Sequence, residues 1–398
     1  MRTANLPEIW LAAGVRTPFA KVDGALAAFD AISLSVPVVR HMIEARLGAA
    51  PDFAVWGTVV PNLTWSNIAR EVLMDAGVAP TIPAFSTVMA CSTSMIGAIE
   101  AAGMIDGVSR NLALVGGVES MSRIQLGLGQ SLSDWIRKFR QARSLGQKAS
   151  HARNLKLGDL RLYIPAVSNR TTGMSMGEHT EITARQWNIG RVEQDAIALA
   201  SHRHAVAAWD RGFFDDLVVP LGGLRRDAIP RNDTSPEKLA KLAPSFDRKS
   251  GAGSLTAGNS SQMNDGAAAM LIASPEMAEK LGLRPRAKFR HFAVGADSAV
   301  WVLTAPNPVT RKLYAKTGLK TEDFDAIEVN EAFASITMAW EREFKPEPEK
   351  LNPRGGAIAI GHPLGASGIR LMTTMLHYLE DTGGMLGTFC LQCHAPMA

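Results

Sequence analysis

Cysteine is scarce in this 398-residue chain, where Cys91, Cys390 and Cys393 are the whole complement. Three thiols cannot build a disulfide framework, so a small cross-linked secreted scaffold is excluded and a reducing compartment, the cytoplasm, is expected. Bulk charge of one sign is also missing. The formal charge is +4, from 42 Lys and Arg against 38 Asp and Glu. No nucleic-acid-binding signature accompanies that small excess, so no nucleic-acid partner is expected. Arg2, Pro7 and Glu8 precede the first apolar run and Arg16 follows it, a pattern that supports neither a signal peptide nor a membrane span. Metal ligands do not cluster either. His202 and His204 lie two apart in a helical stretch and face different ways, so no metal site is expected.

The chain does have core material, with 46% hydrophobic and 20% charged residues, enough for two or three cores in a globular protein. Glu8–Val15 reads as a buried strand, 31–47 as a helix, and 66–77 as a helix opened by Ser66 or Asn67. Asn111–Ser122 reads as a strand breaking into a glycine loop. Short apolar strands alternating with helices point to an α/β layered fold with a central sheet.

From Arg123 the character changes. Residues 123–161 hold nine Lys or Arg and only two Asp, and Leu132, Trp135, Ile136 and Phe139 fall at helical spacing among them. This basic amphipathic helix suits a membrane surface, a partner protein, a cofactor's phosphates, or ordinary docking with a solvated face. A second helical region spans 178–213, and 222–250 reads as loop. Asn264-Asp265-Gly266 reads as a turn leading into a strand at 267–273. A second α/β half begins near 287, with strands expected at 325–329 and at Gly356–Ile360. The organisation is a first half of 1–122 plus 250–275, an inserted loop domain of 123–249, and a second half of 276–398. No strict internal repeat is visible.

The chemistry centres on Ser86–Glu100, where an apolar, β-branched run gives way to small hydroxylated residues and then to Met95, Ile96 and Ile99 at helical spacing. Cys91 is thus expected at a strand-to-helix turn, where a helix N-terminus favours thiolate over thiol. Locally, a nucleophile and a small packing residue fit equally well. Gly361-His362-Pro363-Leu364-Gly365-Ala366-Ser367-Gly368 brings an imidazole to a glycine-framed turn, a density that favours close approach of backbone or ligand over a simple cap. Asn330 occupies a comparable turn, where its amide holds a water or carbonyl oxygen, or caps a helix.

Taken together these residues resemble the thiolase family over nearly the whole chain. The resemblance is carried in order by Arg16-Thr17-Pro18-Phe19, Cys91 with its Ser-rich turn, Gly116–Ser122, Met176-Gly177, Thr256–Ser261 with Asn264–Ala268, Asn330-Glu331-Ala332-Phe333, and Gly361–Gly368. It implies two similar βα halves packed as α-β-α-β-α layers, with an inserted loop domain. It implies an acyltransferase in which Cys91 carries the acyl group as a thioester. His362 activates Cys91 and, with a water held by Asn330, donates to the thioester oxygen, while a C-terminal cysteine protonates the acetyl-CoA enolate. Ser261 matches the serine at the pantetheine arm and Met176 the methionine lining the acyl channel. Coenzyme A is the co-substrate, with no prosthetic group and no metal. A homo-oligomer is expected, with a β-oxidation partner subunit or a membrane surface met through residues 130–160.

Ser175 stands where short-chain biosynthetic relatives carry histidine, and the long 130–177 segment resembles the β-oxidation members. Cleavage of 3-ketoacyl-CoA is therefore expected over acetoacetyl-CoA synthesis, with a non-catalytic, partner-binding subunit as the contrasting reading. Near the C-terminus, Cys390 matches the second thiol by its distance from Gly387-Thr388-Phe389, and Cys393 is the alternative. Gln392 and Cys393 stand where the family has glycines, which bears on a second, backbone oxyanion site. Cys390 to His394 also spell C-x-x-C-H, a haem-attachment pattern that needs export.

Overall fold

Apolar side chains alternate between two faces of a mixed sheet, and that division sets the layers. The computed structural model describes residues 8–165, 168–298 and 303–392. Its strands are β1 (Trp10–Arg16), β2 (Ala20–Lys21), β3 (Phe53–Gly57), β4 (Ala84–Thr87), β5 (Leu112–Ser120), β6 (Gly127–Leu128), β7 (Leu162–Tyr163), β8 (Asn264–Ala273), β9 (Ala287–Lys288), β10 (Ala326–Val329) and β11 (Gly387–Cys390). The helices are α1 (Ala31–His41), α2 (Ile68–Asp75), α3 (Thr93–Met104), α4 (Gln130–Gln141), α5 (Leu145–Arg153), α6 (Met176–Gln186), α7 (Arg191–Asp210), α8 (Pro236–Ala240), α9 (Pro275–Lys280), α10 (Pro306–Thr317), α11 (Ala334–Phe344), α12 (Ala357–Ile360) and α13 (Ser367–Thr382).

The main sheet runs β4-β3-β5-β8-β1-β9, with β2 beside β8. Strands β4, β3 and β5 are parallel, and β8 is antiparallel to both β5 and β1. One face presents Trp56, Leu114 and Leu271 to Leu34 and Val38 of α1 and Val72 of α2. The other presents Val55, Val115, Met270 and Ile272 to Ala98 and Ala101 of α3 and Ile369, Met372 and Leu376 of α13. Helix α13 is covered on its far side by the parallel pair β10–β11. That pair's outer face packs Ile327 and Val329 against Trp340 of α11 and Tyr314 of α10. The result is the α-β-α-β-α layering anticipated above. Each buried Ile, Leu or Met side chain contributes roughly 1.5–3 kcal/mol, so the middle layer is anchored from both sides.

Local expectations meet two corrections. Gly356–Ile360 was read as a strand, but Ala357–Ile360 is the short helix α12. Its N-terminus is capped from a distance, Ser201 Oγ accepting from Gly356 N at 3.0 Å and Glu331 from Ile358 N at 3.2 Å. Asn264-Asp265-Gly266 is the start of β8 rather than a turn, because Asn264 and Asp265 pair with Lys21 and Ala20. Near the expected start of the second half, the two residues of β9 pair with β1 in the first sheet.

The amphipathic stretch is helix α4, tied to α5 by Trp135 Nε1 donating to His151 O at 2.8 Å. Neither helix buries a residue fully. Within α7, His202 Nδ1 accepts from Arg231 N, and His204 Nδ1 faces Asn352 O, so the two imidazoles do have separate surroundings. Among the described residues no helix is long and apolar enough to cross a membrane.

Candidate active site

Strand β4 ends at Thr87, and the five residues 88–92 turn the chain into α3, which starts at Thr93. Ala90 adopts φ +43°, a left-handed conformation that costs an L-residue about 1–2 kcal/mol. The turn is held by Ser92 N donating to Met89 O at 2.9 Å and Thr93 N to Ala90 O at 3.0 Å. Thr93 Oγ1 donates to Ala90 O and accepts from Met89 N, at 2.7 and 2.8 Å. Cys91 is thereby set at the tip of a strained elbow, half-buried, directly before α3. The N-cap residue Ser92 makes no side-chain cap, so the positive end of a 12-residue helix is free to act on negative charge at Cys91.

His362 reaches the same region from the opposite half. Gly361, at φ +114°, makes a turn that only glycine takes easily, and Asn264 Oδ1 accepts from His362 N at 2.7 Å. The imidazole is buried. Nδ1 lies 2.7 Å from Ser367 Oγ, and that hydroxyl donates to Pro363 O at 2.8 Å. Ser367 has spent its single proton, so its oxygen accepts from Nδ1–H, and the network assigns the tautomer with an unprotonated Nε2. Nε2 faces Asn330 Nδ2 at 3.5 Å. Burial, aided by the Arg370 charge, pushes the imidazole down to about 3 and keeps it a neutral acceptor.

Asn330 is fixed from every side. Its N–H donates to Cys390 O at 3.1 Å, its carbonyl accepts from Gln392 Nε2 at 3.2 Å, and its Oδ1 accepts from Arg370 Nη2 at 3.4 Å. The helices that follow the two loops abut. Ile369 N of α13 donates to Ser94 Oγ of α3 at 3.1 Å, and a Cβ at Gly368 would collide with the Met95 backbone. Ser92 Oγ donates to Leu391 O at 3.4 Å, which brings the C-terminal segment alongside the elbow. Buried Glu119 ties the histidine loop to the loop after β3, accepting from Gly365 N, Val59 N, Val60 N and Thr58 Oγ1 at 3.0–3.2 Å. Burial raises its carboxyl to about 7 despite those donors.

The remaining candidates divide. Ser261 N donates to Ala332 O at 2.9 Å, which joins its loop to the turn that carries Asn330. Met176 is the first residue of α6 and packs in the cluster containing Leu255 and Phe333, while Ser175 caps that helix by accepting from Glu178 N. Cys390 contributes its carbonyl to Asn330, but its thiol is on the other face of β11. Strand alternation sends Phe389 inward to the core around α13 and Cys390 outward beside Tyr314 and Thr310, where burial pushes the thiol up to about 12. Cys393 lies outside the described residues. Gln392 is fully buried, its Oε1 without a hydrogen-bond partner among the described residues. No cluster of three or more His, Cys, Asp or Glu able to hold a metal occurs among the described residues.

The sequence reading missed Ser367, Arg370, Glu119 and Glu331. The signal for Arg370 was available, since a lone charge inside the apolar run Gly368–Met375 implies a buried partner.

Comparisons with known proteins agree along the chain. Residues 9–276 match the family model described as thiolase, N-terminal domain, and 283–396 the thiolase, C-terminal domain. A 3-ketoacyl-CoA thiolase of Yersinia enterocolitica is 36% identical, over 95% of this chain and 92% of its own length. The steroid 3-ketoacyl-CoA thiolase FadA6 of Mycobacterium tuberculosis is 35% identical, over 98% and 92%. The crystal structure of the Bacillus anthracis acetyl-CoA acetyltransferase superposes with a TM-score of 0.84 at 30% identity, covering 97% of this chain and 96% of that one.

Proposed function

The chain belongs to the thiolase family, and on that premise we propose that it cleaves 3-ketoacyl-CoA with CoA, giving acetyl-CoA and a shortened acyl-CoA through an acyl-enzyme at Cys91. The observation that carries this reading is the buried Asn330–His362 pair, whose Asn330 carbonyl accepts from Gln392 while the neighbouring Leu391 carbonyl accepts from Ser92, the residue after Cys91. Nε2 of His362 takes the Cys91 proton, and the α3 N-terminus offsets part of the cost of separating those charges. Sγ then bonds to the 3-keto carbon. Collapse of the adduct breaks the C2–C3 bond, and the electron pair passes into the enolate of acetyl-CoA.

Asn330 Nδ2 and the now protonated Nε2 of His362, both on buried side chains, donate to the enolate oxygen where charge develops. With the Cys390 thiol on the far face of β11, the proton taken from Cys91 returns from His362 to C2. The thiol of a second CoA then gives its proton to His362 Nε2 and attacks the Cys91 thioester; the acyl C–Sγ bond breaks, Sγ takes that proton back, and the shortened acyl-CoA leaves the free enzyme. Ser261 supports the pantetheine arm and Met176 the acyl channel, by their match to the family. Coenzyme A is the co-substrate, and no prosthetic group enters the scheme.

A biosynthetic reading is favoured by the Bacillus neighbour, whose title names an acetyl-CoA acetyltransferase. Ser175 weighs against it, because a short capping side chain stands where the biosynthetic relatives have an imidazole. The basic segment exposes Leu126, Leu128, Leu157, Leu160 and Leu162, which supports docking of this region in an oligomer or against a β-oxidation partner or membrane. The test of function is turnover over a series of 3-ketoacyl-CoA substrates, from acetoacetyl-CoA through medium and long chains to a steroid side chain. We expect kcat/KM to peak beyond four carbons. A peak at acetoacetyl-CoA supports the biosynthetic reading, and no turnover with any member contradicts both.

A further inference from the structure

Arg370 is one of the largest fully buried side chains in the protein, in the middle layer on α13. Its Nη1 faces Glu328 Oε2 of β10 at 3.3 Å and its Nη2 faces Asn330 Oδ1 at 3.4 Å, while Nε has no partner among the described residues. Burial raises the Glu328 carboxyl, and the guanidinium beside it opposes that rise. As a source of stability this arrangement is poor. Two buried charges pay several kcal/mol in desolvation, the contacts are long, and one donor is left over, whereas apolar side chains of the same volume would pack at little cost.

What the guanidinium does is orient an amide. Arginine has donors only, so the Asn330 atom that faces it must be the oxygen. The nitrogen is then left pointing at His362, which is the arrangement a developing oxyanion needs. Without that donor the amide is free to rotate and present an oxygen lone pair to the negative charge. We propose that Arg370, held by Glu328, is a positioning residue that locks the Asn330 side chain with its Nδ2 toward His362 and so completes the oxyanion site. The inference rests on the reading of Asn330 and His362 as the enolate-binding pair.

A double-mutant cycle tests it, using the full chain and thiolysis of a medium-chain 3-ketoacyl-CoA. The variants are Glu328→Met/Arg370→Met, Asn330→Ala, and all three substitutions together, each checked by circular dichroism and urea unfolding. Replacing both ions by apolar groups preserves folding in comparable buried pairs. The expected result for the pair is a fall in kcat of roughly 30-fold with KM within about threefold, the pattern of an interaction made in the transition state. On the Asn330→Ala background the same replacement should cost less than about threefold, because Arg370 acts through that amide. If the methionine pair fails to fold, Arg370→Lys replaces it in the same cycle, since one ammonium cannot serve Glu328 and Asn330 together. A folded pair variant with wild-type kcat overturns the proposal, as does an equal loss on both backgrounds. Wild-type kcat in Asn330→Ala alone overturns the oxyanion reading beneath it.

Discussion

Ser367→Ala removes one oxygen from behind the His362 imidazole. The hydroxyl is fully buried, 2.7 Å from His362 Nδ1, and it hands its own proton to Pro363 O. Deleting it leaves a buried Nδ1–H with no acceptor, a penalty of about 1–3 kcal/mol to the folded state. The loss is larger where the ring is charged, because a hydrogen bond from a charged donor is worth about 1.5–3 kcal/mol. That stabilisation is needed when Nε2 has taken the Cys91 proton. Only the excess over the neutral bond's roughly 0.5–1.5 kcal/mol, about 1–1.5 kcal/mol, slows the reaction, which is roughly a 5- to 13-fold fall in kcat. KM should stay within about twofold, since Ser367 lies behind the imidazole and out of substrate reach. The assay is steady-state thiolysis of a medium-chain 3-ketoacyl-CoA beside urea unfolding of the same preparation. A variant less stable by the expected amount but with wild-type kcat would refute the tautomer argument, and so would a raised KM at constant kcat.

Cys390→Ala should leave kcat within about threefold of wild type, because the thiol faces Thr310 and Tyr314 across the strand from His362. A hundredfold loss in steady-state thiolysis would show that this thiol reaches the acyl group. His362 also carries a pH signature in stability. The fold holds the imidazole neutral with its pKa near 3 rather than 6.5, so the unfolded chain takes up a proton that the fold refuses. Its contribution is complete above pH 6.5 and is lost as pH falls from 6.5 toward 3. Comparison with His362→Asn cancels the other titrating groups. The wild-type advantage in urea unfolding should shrink by about 1.2 kcal/mol between pH 6 and pH 5. A difference that does not change with pH contradicts neutral burial.

Much of the architecture was legible because it is written locally. The run into Cys91 switches from β-branched to helical spacing within a few residues, and β4, the turn and α3 follow it. Asn67 caps α2 by accepting from Arg70 N, and the apolar spacing from Leu132 to Phe139 falls within α4. What failed is what depends on distant partners. Ala357–Ile360 alternates like a strand, but Ser201 and Glu331 cap it as a helix from other parts of the chain. Short apolar runs carry too little periodicity to decide between the two.

The candidate site shows the same division. Glycine, serine and turn context single out Cys91, His362 and Asn330 as candidates. Their supports do not stand out in this way. Ser367 looks like the start of a helix, Arg370 like an interruption in an apolar stripe, and Glu119 like the end of a strand, until the fold places each against a partner more than thirty residues away or behind the imidazole. Cys390 is the reverse case. Its spacing singled it out, but β-strand alternation, which depends on the register with β10, turned its thiol outward.

Acylation of Cys91 is the step on which the proposed function turns. The most direct measurement is mass spectrometry of acid-quenched protein after mixing with a 3-ketoacyl-CoA in the absence of free CoA. The peptide containing Cys91 should gain the mass of the acyl group shortened by two carbons, added CoA should discharge it, and Cys91→Ala should show neither adduct nor turnover. Turnover by Cys91→Ala, or an adduct on any other residue, would contradict acylation at Cys91.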